Sequence, residues 1–416
     1  LEDPSLSPSG NYLAARVAIE GRQLLLMRSL YNKDEPPRIF GVGDGKTSVD
    51  WWRWVNDEWL LVGLSATSSF GGDDFRVSRV VSLGRKTGEV RKIAWNARGQ
   101  NAAELIWAAQ DGSPRILLGI QRSIFVGADF WPEVAEVDVS TGRQRTVVAA
   151  RSNVVSYFAD KSGNVRAGFG YDDATRTGRI LYRQEGKGLF KVIDRADYSK
   201  DERLLVPRVI LPDQNGALSI ADDEDGFSSL YEVDLSTMTK GKKLFGVPGY
   251  DIDDVIETVA GDGAAGIAVT ENRSRVHWLD PRLADIQAGI DKKLGAGMAR
   301  VVSWNADRSK MLFHVGDADQ AGAYYLYDSG ILKRIGYANE TLKMAKLAPV
   351  TTVSYTTRDG LQIKGVLTLP KGRNPRNLPL VLLPHGGPEA RDLERFDWWV
   401  QFLAWRGYAV FQPNYR

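Results

Sequence analysis

Cysteine is absent from the 416-residue chain, so disulfides, thiolate nucleophiles and cysteine-ligated metals are excluded. Histidine is almost absent: His277, His314 and His385 are the three. They lie far apart, and none belongs to a His-x-x-x-His pair, so no metal and no cofactor is expected. No apolar run approaches the roughly 18 residues that a membrane-spanning helix needs, so no membrane contact is expected. An excess of one charge is also missing. With 54 basic and 52 acidic residues, the net charge is +2, and no basic groove for nucleic acid is read. The opening Leu1-Glu2-Asp3-Pro4 has neither the basic start nor the apolar stretch of a signal peptide. The lack of cysteine suits the cytoplasm and a bacterial periplasm equally.

What is present is ordinary globular composition, 43% apolar and 25% charged, at a length that suggests two domains. From residue 1 to about 342, short β-type runs alternate with turn residues, and helical periodicity is almost absent. Trp59 to Leu64, Ile116 to Ile120 and Met311 to Val315 are such runs. Lys86-Thr87-Gly88, Ser140-Thr141-Gly142, Lys161-Ser162-Gly163 and Asp328-Ser329-Gly330 are such turns. A loose unit recurs roughly every 40 to 50 residues, the blade period of a propeller. Its first part reads like Leu6-Ser7-Pro8-Ser9-Gly10-Asn11-Tyr12-Leu13. Its second part is a strand ending in a polar turn, as in Leu230 to Thr237, Val134 to Gly142 and Tyr324 to Gly330. About seven units fit, so an all-β propeller of seven blades is expected, with one or two β-sandwiches as the alternative.

The grammar changes near residue 345, giving expected domains 1–345 and 346–416. Thr351 to Tyr355 and Leu361 to Leu369 read as a hairpin about Arg358-Asp359-Gly360, since Asp-Gly is a strong turn signal. Then Leu380 to Leu383 enters Pro384-His385-Gly386-Gly387-Pro388. A helix pattern follows at Leu393, Phe396, Trp399, Val400 and Leu403, ends at Gly407, and gives way to a second apolar run, Tyr408 to Phe411. Strand, Gly-rich loop, helix and strand is how an α/β-hydrolase sheet builds half of an oxyanion hole.

A β-rich region followed by these motifs resembles the prolyl oligopeptidase family of serine peptidases, in which a β-propeller precedes an α/β-hydrolase domain. His385-Gly386-Gly387-Pro388, Trp399 to Ala404, Arg406 to Val410 and Pro413-Asn414-Tyr415-Arg416 are similar to the acylaminoacyl-peptidase and bacterial dipeptidyl-peptidase branch. Arg358-Asp359-Gly360, Gly365 and Leu369-Pro370 are similar to that branch's domain entry. The resemblance covers about 65 residues well and the propeller only in architecture. It implies a serine peptidase cleaving short peptides, with the propeller restricting access and a homo-oligomer possible in the family. It implies a periplasmic bacterial enzyme more readily than a cytoplasmic one.

The resemblance assigns one oxyanion donor to the amide of Gly387, with Gly386 permitting the turn. His385 and Pro388 would support the loop. The family's Gly-x-Ser-x-Gly-Gly elbow, Asp and His have no counterpart here: Gly63-Leu64-Ser65-Ala66-Thr67 lacks the final glycine, and Gly226-Phe227-Ser228-Ser229 also fails. The nucleophile, Asp and base are therefore expected beyond Arg416, the chain is expected to be a truncated or cleaved piece, and residues 1–416 alone are expected to be inactive. A non-catalytic binding propeller, and an esterase or isopeptidase on the same scaffold, are the alternatives.

Five other features read as structural. Asp222-Asp223-Glu224-Asp225 is a solvated turn rather than an amine-binding site. Gly261-Asp262-Gly263-Ala264-Ala265-Gly266 matches a dinucleotide pattern literally, but a strand follows where a helix is required. Gly41-Val42-Gly43-Asp44-Gly45-Lys46 lacks P-loop spacing. Trp51, Trp52, Trp54 and Trp59 read as packing between blades, and His277 and His314 as residues of strands.

Overall fold

Turns with a left-handed residue set the architecture. Gly10, Gly163 and Gly261 have φ of 71°, 83° and 72°. Their amides donate to Ser7, Asp160 and Thr258 carbonyls at 2.8, 2.9 and 3.1 Å. Arg308 holds the corresponding place without glycine, at φ 56°, donating to the Asn305 carbonyl at 3.1 Å. A second turn type closes strand pairs. Asp138 Oδ1 accepts from the amides of Ser140 and Thr141 at 2.8 and 3.1 Å. Asp234 does the same for Ser236 at 2.7 Å. An Asp side chain that satisfies the next amides makes such turns local and self-sufficient.

The computed structural model describes the chain except residues 42–45, 71, 128, 213–214, 344, 388–389 and 416, and the Phe70 side chain. Among the described residues, seven sheets begin at residues 2, 47, 104, 154, 207, 252 and 299. Six have four strands and the sixth has three. In each, every strand lies beside its neighbour in sequence. These are the blades of a β-propeller.

Period-two alternation sends the side chains of inner blade strands to two different cores. Leu60 and Val62 join Leu25 and Met27 of the first sheet, while Leu61 joins Ile116, Leu118 and Val137 of the third. Leu117, between Ile116 and Leu118, instead meets Val154, Tyr157 and Leu181 of the fourth sheet. Ala167, Ile180 and Tyr182 then pack with Ala217, Val233 and Leu235 of the fifth. The tryptophans follow the same rule. Trp51 and Trp59 pack in the core between the second and third sheets, and Trp52 and Trp54 in the core between the first and second. Gly63 is obligatory opposite Trp51, because a Cβ there would stand 2.3 Å from the indole.

Contacts divide the chain into two compact units. One is Glu2–Ile267 with Ser303–Lys310; the other is Leu1, Ala268–Val302 and Met311–Arg416. The second contains a helix, Pro281–Leu294, in a region read as free of helices. The Asp280 carboxylate caps it by accepting from the Leu283 amide at 3.2 Å, Pro281 opens its first turn, and Leu283 and Ile290 are buried. That unit also holds a mixed sheet in the order Val350–Thr356, Gln362–Thr368, Ala409–Pro413, Leu380–Leu382. The first two strands form the hairpin read about Gly360 (φ 89°). The last two are parallel, Leu380 opposite Ala409 and Leu382 opposite Phe411, as a strand–helix–strand crossover requires.

The helix of that crossover is shorter than its apolar pattern suggested. It spans Trp398–Trp405, not Leu393 onwards, because Asp397 Oδ1 accepts from the Trp399 and Val400 amides at 2.8 and 3.2 Å. Val400, Gln401 and Ala404 form the buried face, whereas Trp399 faces solvent.

The stacking of sheets yields a direct test. Leu118→Ala opens a cavity between the second and third sheets and should lower unfolding free energy by about 2–5 kcal/mol. Val126→Ala, on an exposed loop, should change it by less than about 0.5 kcal/mol. Urea unfolding followed by tryptophan fluorescence measures both.

Candidate active site

The strand Leu380–Leu382 delivers the chain to residues 383–397, a segment that connects to the helix. The Leu383 amide donates to the Phe411 carbonyl at 2.9 Å, continuing the parallel ladder one residue beyond the strand. His385 is half-buried, and Gly386 and Gly387 are exposed. A Cβ built on Gly386 would meet nothing within 4 Å. Pro388 lies outside the described residues.

Two consecutive residues after the strand Ala409–Pro413 hold this turn. Tyr415 donates its hydroxyl to the His385 carbonyl, and its ring sits 4.1 Å from the imidazole, centroid to centroid, tilted by 43°. Asn414 Oδ1 accepts from the Asp392 amide at 2.7 Å, and Asn414 Nδ2 donates to the Asp392 carbonyl at 3.2 Å. The Asn414 amide is itself tied to the Lys364 carbonyl at 3.1 Å. His385 Nδ1 lies 2.6 Å from the Gly386 carbonyl oxygen. An oxygen of that kind only accepts, so Nδ1 carries the proton.

The far half of the segment is tethered elsewhere in the same unit. Glu394 Oε1 accepts from the Thr352 amide at 2.8 Å, and Arg273 Nε donates to its Oε2 at 3.3 Å. Arg273 also pairs with Asp317 at 2.8 Å. The Glu394 amide donates to Asn272 at 3.1 Å, and Arg391 donates to the carbonyls of Thr270 and Glu271. Partial burial works to raise the Glu394 carboxyl, but the bonds from Thr352 and Arg273 outweigh it and hold the group below its ordinary value. Asp392 shifts the other way, raised chiefly by burial.

Helix Trp398–Trp405 is anchored through Gln401. Its Oε1 accepts from the Ala348 amide at 2.9 Å, and its Nε2 donates to Ala348 and Ala318 carbonyls at 3.0 and 3.2 Å. A hollow of about 380 Å³ is lined by Leu383, Arg395, Phe396, Asp397, Trp398 and Trp399. The helix's outer stripe, Trp398, Phe402 and Trp405, is 65%, 54% and 74% exposed.

Chemically, this arrangement presents backbone amides at an open glycine pair whose flanks are pinned. Donors fixed in advance for developing negative charge are what acyl transfer requires, and the absence of a Cβ leaves approach to those amides unobstructed. Sequence reasoning found the glycine pair but gave no role to Asp392, Glu394 or Arg273. The pairing of Asn414-Tyr415 with the loop was readable only as a motif that recurs with it.

The remaining candidates are structural in their contacts. Asp223 accepts from the amides of Asp225 and Phe227, both at 3.0 Å, and from Lys243 at 2.7 Å, closing a turn. Gly261 sits in a β-turn and the strand Ala264–Thr270 follows. Of Gly41 to Lys46, residues 42–45 lie outside the described residues. His314 Nε2 is 3.0 Å from the Ala321 carbonyl, and burial lowers its pKa. His277 lies 3.7 Å from Glu271.

No family model matches the chain. A curated relative, dipeptidyl aminopeptidase BIII of Pseudoxanthomonas mexicana, is 24% identical over 99% of this chain and 58% of its own length. The chain thus spans less than two thirds of that relative. Among solved structures, a post-proline cleaving enzyme from Rickettsia typhi superposes with a TM-score of 0.65 at 13% identity, covering 100% of this chain and 64% of that one. An acylaminoacyl peptidase from Pyrococcus horikoshii gives 0.60 at 15% identity, with 100% and 64% covered. At these identities the structural likeness establishes the fold.

Gln401 offers a test of how the helix is held. Gln401→Ala leaves the Ala348 amide and two carbonyls without their partner and should cost about 1–3 kcal/mol. Hydrogen exchange of residues 398–405 should accelerate, while exchange in residues 104–148 stays unchanged.

Proposed function

We propose that the chain is the propeller and the opening part of the hydrolase domain of a serine peptidase of the prolyl oligopeptidase family acting on short peptides, a reading supported by its fold and by its likeness over 99% of its length to a dipeptidyl aminopeptidase. The observation that carries the proposal is the Gly386–Gly387 turn. It follows a parallel strand, lies open to solvent, and is pinned on both flanks by Asn414 and Tyr415. The switch from propeller to hydrolase falls near residue 345, where turn-rich repeats give way to the hairpin and crossover.

The reaction is nucleophilic acyl transfer. A serine attacks the peptide carbonyl, a histidine takes its proton, and an aspartate orients that histidine. The carbonyl oxygen becomes negative and accepts from the Gly387 amide and from the amide following the serine. The serine, aspartate and histidine of this scheme belong to polypeptide beyond residue 416. The exposed stripe of Trp398, Phe402 and Trp405, with the half-exposed edge strand Leu380–Leu382, supports that assignment. These are the apolar surfaces on which a longer sheet is built. Residues 1–416 by themselves are inactive in this reading, and the propeller restricts substrates to short peptides.

The test is made on the full-length enzyme. It should cleave a short blocked peptide and leave casein intact; equal cleavage of both would refute the restriction. Gly387→Pro removes the amide donor and should lower kcat by about 10²–10³-fold with little change in KM. Fluorophosphonate should label the full-length enzyme and not residues 1–416; labelling of the shorter chain would overturn the assignment of the nucleophile.

A further inference from the structure

Four arginines of the fourth sheet have no acid beside them. Arg151 precedes its first strand, Val154–Ala159, and Arg179 and Arg183 lie on and just after its third, Thr177–Tyr182. Arg195 is on the fourth strand, directly opposite Arg179. None of the four pairs with a carboxylate among the described residues, and like charges placed opposite each other across two strands destabilise a sheet. Two glycines let the side chains gather. Gly170 is paired with Val154 on one side and Arg179 on the other, and a Cβ there would stand 2.8 Å from Arg179 Nε. Arg179 thus crosses Gly170 towards the first strand, where its Nη2 donates to the Ser152 carbonyl, next to Arg151. Gly168 does the same for Tyr157, whose ring would lie 3.3 Å from an added Cβ. Phe190 links the group: the guanidinium carbons of Arg151 and Arg183 are 5.3 and 4.4 Å from its ring centre, and the Tyr157 ring is 6.1 Å away, centroid to centroid.

Two donors in this group lack an acceptor. Tyr157 is 4% exposed, and its hydroxyl and Arg179 Nε are both shut off from solvent with no hydrogen-bond partner among the described residues. Such atoms are rare, and each calls for an explanation. Burial pushes the Tyr157 hydroxyl up to about 12, against the opposing charges of Arg151, Arg183 and Arg179, so it keeps its proton and stays a donor. Burial first, and then the Arg151 charge, lower the Arg183 guanidinium. The Glu104 carboxyl, beside Gly119 on the third sheet, is raised to about 7 by burial alone, so it is not their counter-ion. We propose that this part of the fourth sheet is an oxyanion site for a phosphate group, formed by Arg151, Arg179 and Arg183 around the Tyr157 hydroxyl, with Arg195 at its rim. The first three arginines are half-buried and Arg195 is exposed, so the ion reaches their heads from solvent. It turns those heads towards itself and uncovers the hydroxyl behind them. Several cations without a carboxylate suit a doubly charged ion, and the planar guanidinium fork matches two phosphate oxygens at once.

The site is independent of the peptidase reading, so it is tested by binding and not by activity, with isothermal titration calorimetry on the full-length protein. Inorganic phosphate at about pH 8, where it carries close to two charges, should bind saturably at constant ionic strength. Acetate should bind at least about tenfold more weakly. Arg179→Gln and Arg183→Gln should each weaken phosphate binding by about tenfold. Tyr157→Phe keeps the ring and should weaken it by about three- to tenfold. If that variant does not fold, Arg179→Lys replaces it: the charge stays, the fork is lost, and binding should still weaken. Arg358→Gln removes the same charge from an exposed turn in the other compact unit and should change nothing. A phosphoserine peptide distinguishes the sources: tighter binding than inorganic phosphate assigns the site to a phosphorylated ligand, and equal or weaker binding assigns it to the free ion. No saturable binding by the unaltered protein, undiminished binding in both glutamine variants of Arg179 and Arg183, or acetate binding as tightly as phosphate overturns the proposal.

Discussion

Burial of both faces of the inner blade strands is the constraint on which the architecture depends. Ile116 and Leu118 enter one core and Leu117 the next. A four-stranded sheet of this kind has no face to give to water, and burying each Leu, Ile or Val side chain is worth about 1.5–3 kcal/mol. A lone blade cannot collect that stabilisation, because half of its apolar side chains would remain exposed. Stacking on a neighbour is what makes each sheet stable, and it fixes how long the repeat is and where turns are allowed.

The loop at the glycine pair is built on the opposite plan. The described residues between 383 and 397 bury little apolar surface and are located by directed bonds from Asn414, Tyr415, Thr352 and Arg273. Such bonds tolerate an exposed backbone, which a packed core would not. An amide that is to meet a negative oxygen has to face open space, and only polar tethers can hold it there without covering it. The strand Ala409–Pro413 is the common reference. It carries Asn414 and Tyr415 at one end and pairs with the strand that delivers the loop.

Much of this was legible in residue order. Asp-Gly and Ser-Thr-Gly turns, alternating apolar runs and the repeat length pointed to the propeller, because each is a local requirement met by nearby residues. The alternating tryptophans at 51, 52 and 54 likewise follow from period two. The helix Pro281–Leu294 was missed, although Asp280-Pro281 is a start signal; its apolar stripe is only two buried residues deep. The start of helix Trp398–Trp405 was misread because the apolar residues at 393 and 396 continue the pattern while Asp397 caps the helix. A cap decides where backbone amides find partners, and periodicity does not report it.

What the sequence determined by itself is the set of short-range rules: which turns form, which strands alternate, and that an open glycine pair follows an apolar strand. What only the tertiary structure decided is which distant residues meet that pair. Glu394 is bonded to Arg273 and Thr352, Gln401 to Ala318 and Ala348, and Asp392 to Asn414. The physical reason is range. A turn is settled by dihedral preference and hydrogen bonds within a few residues. A tether across dozens of residues is settled by the fold, which brings the two groups together before either can select the other.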